Sequence, residues 1–165
     1  MPLGNAMLPE FNQEMGTTRR VLERVPDEKG EWKPHPKSFS LGHLAQLVSW
    51  MPAWIADTLR KPVLDLATAP GYSYQGTQTL LKAFDANVSA AKAALEQTPD
   101  ADWSGTWSLT RGTMTLWTAP RQVVVRNHLN HLIHHRAQLT VYLRLLDVPV
   151  PATYGPSADE RPQMM

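Results

Sequence analysis

Four histidines fall within one helical-period run near the C-terminus: His128, His131, His134 and His135, in NHLNHLIHHRAQL. His131 and His135 stand at i and i+4, so they project from one face, one turn apart. Around a helix, these four residues and Gln138 fall within an arc of roughly 120°. Imidazoles turned toward an interior need partners, because a buried nitrogen with neither hydrogen bond nor metal is costly. The fold must therefore bring another segment onto this face. Two imidazoles at this spacing can also bite one divalent ion at roughly 2.0–2.1 Å per nitrogen.

The rest of the chain supplies candidate partner helices. Residues 7–25 follow a helical stripe through Leu8, Phe11, Met15, Val21 and Leu22, ended by Pro26. The Gly-, Pro- and charge-rich segment DEKGEWKPHPKS reads as a loop. A second helix starts behind Ser40 as N-cap and carries Leu41, Leu44, Leu47, Met51 and Ile55 before Lys61-Pro62 ends it. Pro52, inside it, removes one backbone donor and predicts a kink near Val48. A third helix is predicted over 77–96, with Leu80, Leu81, Phe84, Val88, Ala91 and Leu95 inward. The period then changes. WSLTRGTMTLWT alternates and turns at Arg111-Gly112, which predicts a short β-hairpin. The last helix spans about 120–146, with Val123, Val124, His128, His131, His135, Leu139, Tyr142 and Leu146 on its inner side. The expected fold is all-α: an antiparallel four-helix bundle with a hairpin before the last helix. The tail, 148–165, is proline-rich and extended, and Tyr154 can dock it on the bundle.

A chain of 165 residues suits a single domain, 1–165. It has no cysteine, so any thiol chemistry must use a thiol brought from outside. The net charge of +1 lacks the clustered basic face of a nucleic-acid binder. No signal peptide or membrane span is read from the sequence, and the expected location is the cytoplasm.

The third metal ligand expected from the residues is His43 on the second helix, which would leave open positions as in a catalytic site. His128, one turn before His131, is the alternative ligand. Gln138 and Tyr154 are candidate supporting or pocket groups. Trp50 and Trp54, at i and i+4, can wall a pocket, although core packing is the favoured reading. His35, between prolines, reads as a loop histidine. Glu14 with Arg19 or Arg20 reads as a surface or inter-helix pair.

EFNQEMGTTRRVLERVP, WKPHPKSFSLGHLA and NHLNHLIHHRAQLTVYLRLLDVPVP ending in YGPSADE together resemble the DinB-like (damage-inducible, YfiT-related) superfamily. The likeness covers nearly the whole chain. It implies a four-helix bundle holding a divalent metal, Zn²⁺, Ni²⁺ or similar, on one histidine of the second helix and an i, i+4 pair of the last. That pair maps onto His131 and His135. The second-helix histidine of the family falls where this chain has Leu47, and His43 stands one turn earlier. The resemblance further implies a metal-dependent transferase that joins a low-molecular-weight thiol to a small electrophile, in a homodimer. The alternatives are a metal-dependent hydrolase and a non-catalytic stress-response bundle with a degenerate metal site, which Leu47 favours.

Overall fold

Gly42 shows how this chain sets its topology. A Cβ there would come within 2.7 Å of the Tyr74 ring, and one at Gly30 would also meet that ring at 2.7 Å. Tyr74 therefore lies flat on two glycines, and its hydroxyl bonds Asp27 (3.1 Å) and Thr77 (2.9 Å). The Thr77 N–H in turn donates to Asp27 Oδ1 at 2.6 Å, and the Thr77 hydroxyl donates to the Val25 carbonyl at 2.6 Å. These contacts pin the start of one helix beside the start of another.

The computed structural model describes residues 1–161. Its elements are α1 (Leu3–Leu22), α2 (Leu41–Arg60), β1 (Val63–Asp65), α3 (Thr77–Gln97), β2 (Thr106–Arg111), β3 (Met114–Pro120) and α4 (Arg121–Leu145). Short 3₁₀ turns, Asp27–Lys29 and Asp100–Ser104, precede α2 and the hairpin.

α2 packs against α3 and α4, and α1 packs against the same two helices. The ring order is thus α1–α3–α2–α4, with consecutive helices α1 and α2 across the diagonal. Gly4 meets Leu95 and Arg19 meets Asp85, so α1 and α3 are antiparallel. Glu10 meets Arg126 and Thr18 meets Arg136, so α1 and α4 are parallel. α3 starts at the level where α2 starts, so these two also run parallel. The expected antiparallel bundle is corrected on this point: the order of directions is up, down, down, up. The physical reason is the segment 61–76. An extended chain of that length outreaches the roughly 30 Å of a 20-residue helix, so it can return the chain to the start of α2.

That returning segment also corrects the all-α expectation. It contributes β1, which pairs in parallel with β2, while β2 and β3 form the expected antiparallel hairpin around Gly112 (φ 59°). The result is a three-stranded sheet in the order β1–β2–β3 at the side of the bundle.

α1 begins four residues before its predicted start. Asp100 Oδ1 accepts from the Leu3 N–H at 2.8 Å, a cap supplied from distant sequence. Ser40 caps α2 as expected, accepting from the His43 N–H at 3.3 Å. α2 continues through Pro52 to Arg60. No helix among the described residues is long and apolar enough to cross a membrane.

Candidate functional site

α4 carries two stripes. Val125, Leu129, Leu132, Arg136, Leu139 and Leu143 are buried in the core. His131, His135, Gln138 and Tyr142 form a second stripe about 100° around the helix, and it is half-buried to exposed. His128 belongs to this second stripe but is buried, while His134 is exposed and Val123 is 48% exposed. The histidines thus line the edge of the core rather than its centre.

The facing stripe comes from α2, where His43, Leu47, Trp50 and Trp54 recur at helical spacing. The Trp54 ring lies 5.7 Å from that of His128 and 6.0 Å from that of His131. At the other end Phe39 lies 6.4 Å from His135 and 4.3 Å from His43. α2 and α4 are therefore antiparallel, with Leu47 of α2 between these two levels.

His131 and His135 come together as the spacing predicts, with their Nε2 atoms 2.9 Å apart. His135 Nδ1 lies 2.7 Å from Gln138 Oε1, an acceptor, so His135 carries its proton on Nδ1. His135 Nε2 is then an acceptor, and His131 donates to it from its own Nε2. This leaves the Nδ1 lone pair of His131 free to accept from a further group. Burial lowers the pKa of both rings; His135 and His134 depress His131 further, and His134 depresses His135. The neutral forms are favoured.

His43 is held differently. Its ring is stacked between Phe39 (4.3 Å, 19°) and Tyr72 (3.9 Å, 23°), and Tyr72 stacks in turn on Trp50 at 4.9 Å. Burial first, then Lys33, lowers its pKa. Trp54 thus borders His128 and His131, and Trp50 reaches His43 through Tyr72. Tyr154 does not. Its hydroxyl donates to Glu14 Oε1 at 2.9 Å and accepts from Arg136 Nη2 at 3.1 Å, on the opposite side of α4. It docks the tail, and the supporting role assigned to it beside the metal is corrected accordingly. Gln138 does reach the pair.

The three-histidine centre requires a third ligand from α2. Leu47, at that station, is buried and offers only carbon. The His43 ring packs on Phe39 and Tyr72, not on the rings of His131 and His135. His128 bonds Thr58 Oγ1 through Nε2 at 3.2 Å. Among the described residues, no group of three or more His, Asp or Glu side chains is arranged to hold an ion. The expected set His43, His131 and His135, with His128 in reserve, is therefore reduced to a pair, and the residues do not fit a three-ligand metal centre.

The fold and this pair define a class: a four-helix bundle with an i, i+4 histidine pair on its last helix and a small sheet inserted before it. The chain belongs to the DinB family, whose model matches residues 1–164. A DinB-like protein of Bacillus cereus ATCC 10987 shares the fold at a TM-score of 0.72 and 22% identity, over 91% of this chain and 97% of that one. The DinB-like protein YjoA of Bacillus subtilis does so at 0.70 and 16%, over 90% and 97%. No curated protein matches.

The residue pair that sequence reasoning missed is Glu14–Arg136, buried at 5% and 2% exposure. Its signal was Glu14 itself, set inside the apolar stripe of α1 between Phe11 and Met15.

Proposed function

We propose that this chain is a non-catalytic ligand-binding member of its family, in which the metal centre has contracted to a hydrogen-bonding histidine pair. The observation that carries this reading is Leu47, buried where α2 would supply the third imidazole. Catalytic zinc sites take three protein ligands. A pair without a third ligand acts instead through its neutral nitrogens, with His131 Nδ1 as the free acceptor.

A second reading is supported by the Nε2 atoms converging at 2.9 Å and by Gln138 orienting His135, as outer partners orient metal-binding imidazoles. In it, ligands from outside complete a divalent centre, and the chain is a metal-dependent S-transferase joining a low-molecular-weight thiol to a small electrophile, or a hydrolase.

Metal analysis of untagged protein separates the two, with zinc affinity measured by chelator competition. The expected result is far less than one ion per chain. Leu47→His should tighten zinc binding by more than the ~10–100-fold that an outer-shell partner is worth. Near-stoichiometric metal in the wild type, lost in His131→Ala, would overturn the contracted-site reading in favour of the metal-dependent one.

A further inference from the structure

The inner face of the sheet is built as a wall. Leu64 pairs with Leu109 across β1–β2, and Leu109 with Trp117 across β2–β3, so these three side chains form one lateral row. Trp107, two residues before Leu109, shares their face and meets Trp117 edge-on at 6.0 Å. Opposite stand Trp54 of α2 and His128 and His131 of α4. Between wall and helices lies a cavity of about 260 Å³, somewhat below the usual size of drug-sized ligand sites and suited to a one- or two-ring molecule.

Its polar groups are few: the exposed Asn127 amide at the rim, the His128 and His131 imidazoles and the Trp107 indole. His131 has a free Nδ1 acceptor. His128 Nδ1 and Trp107 Nε1 are buried without a hydrogen-bond partner. Buried polar atoms in that state are uncommon and mark places where a water or ligand belongs. No Lys, Arg, Asp or Glu lines the cavity. A carboxylate or phosphate would find no cation there, and an amine no anion. Aromatic walls with a neutral acceptor and an indole N–H donor match a ring bearing a hydroxyl, which can donate to the one and accept from the other.

We propose that this cavity binds a small phenol, with its ring against the indoles of Trp54 and Trp117 and its hydroxyl on His131. The proposal rests on the reading above only in taking His131 as a free imidazole rather than a metal ligand.

The test is calorimetric titration of the full chain, in chelator, with 4-methylphenol, 4-methylanisole and 4-methylbenzoate. The phenol should bind one to one. The ether, which cannot donate, and the carboxylate should each bind ~10-fold more weakly or worse, the value of one hydrogen bond. His131→Ala should erase the preference for phenol over ether. Leu66→Trp, at a half-exposed position on the cavity rim, should abolish binding of all three while leaving the circular dichroism of the wild type. Absence of saturable phenol binding, equal affinity for phenol and ether, or binding untouched by Leu66→Trp would each overturn the proposal. The metal titration fails separately. A chain that loads zinc yet still selects the phenol in chelator overturns only the earlier reading, and one that takes up neither zinc nor phenol overturns only this one.

Discussion

Arg136 is a guanidinium in the middle of an apolar stripe, between Leu132 and Leu139. It survives there because both terminal nitrogens find acceptors and a carboxylate lies beside them. Nη1 reaches the Glu14 carbonyl and the Thr18 hydroxyl, both at 3.2 Å, and Nη2 reaches Tyr154. Glu14 Oε2 lies 2.7 Å from Nη1, and the Tyr154 ring sits 5.3 Å from the guanidinium carbon. The network ties α1, α4 and the tail together. Its two halves are interdependent, since removing one buried charge strands the other. Glu14→Gln or Arg136→Met should each lower unfolding free energy by ~3–5 kcal/mol, while the double variant Glu14→Leu/Arg136→Met should recover most of that loss. Urea denaturation of the three variants checks this. A double variant as weak as the singles would show that hydrogen bonds to Thr18 and Tyr154, not the charge pair, carry the stability. The sequence signalled Glu14 but offered Arg19 and Arg20 as partners. Those instead pair outward with Asp85 and with Glu160 of the tail, because partner choice across a bundle depends on helix order.

The four helices were legible from period and punctuation, and their ends from Ser40, Pro26 and Pro62. What periodicity could not separate were the two stripes of α4, since histidine counts as neither clearly apolar nor clearly exposed. Reading the histidines as inward turned the expected core by about a quarter turn, so that Tyr142 stood where Leu143 is buried, and Val123, 48% exposed, was counted inside. β1 was illegible for another reason: a three-residue strand acquires its identity only from pairing with β2. The end of α4 was legible only as a stop. Asp147 takes φ 56°, Val148 N–H bonds the Leu143 carbonyl at 3.0 Å and Asp147 N–H the Arg144 carbonyl at 3.1 Å. This is a Schellman cap with aspartate where glycine is usual. Asp147→Gly should therefore stabilise the fold by about 1 kcal/mol, through relief of the left-handed backbone. A thermal midpoint unchanged or lowered in that variant would mean that attraction of Asp147 to Arg144 outweighs the strain.

At the scale of the molecule, ring order explains what the histidines do. Because α1 and α2 stand on the diagonal, α4 meets α2 along one flank and α1 along the other, so its two polar networks face different neighbours. Arg136 anchors the α1 flank and the tail, and the imidazoles border α2 and the sheet. On that second flank the chain folds around neutral rings. His128 is pushed down to about 4, mainly by burial and then by the nearby His131, and His43, His131 and His135 are also lowered. The unfolded chain takes up protons at the ordinary histidine value of ~6.5, where the folded chain does not. Stability is therefore complete above pH ~6.5, falls as pH drops toward 4, and levels off once His128 is protonated in both states. His128 alone accounts for roughly 3 kcal/mol of that loss, from ~6.5 unfolded to about 4 folded at about 1.36 kcal/mol per pH unit. Urea midpoints measured from pH 7.5 down to 4 should trace the fall, and His128→Phe should flatten it although it also removes the bond to Thr58. A His128→Phe profile as steep as the wild type would move the acid sensitivity to the other depressed imidazoles, His43, His131 and His135, because Asp159, held low by Arg144 and by the Val150 N–H, gives up its contribution only below the ordinary aspartate value of ~3.9.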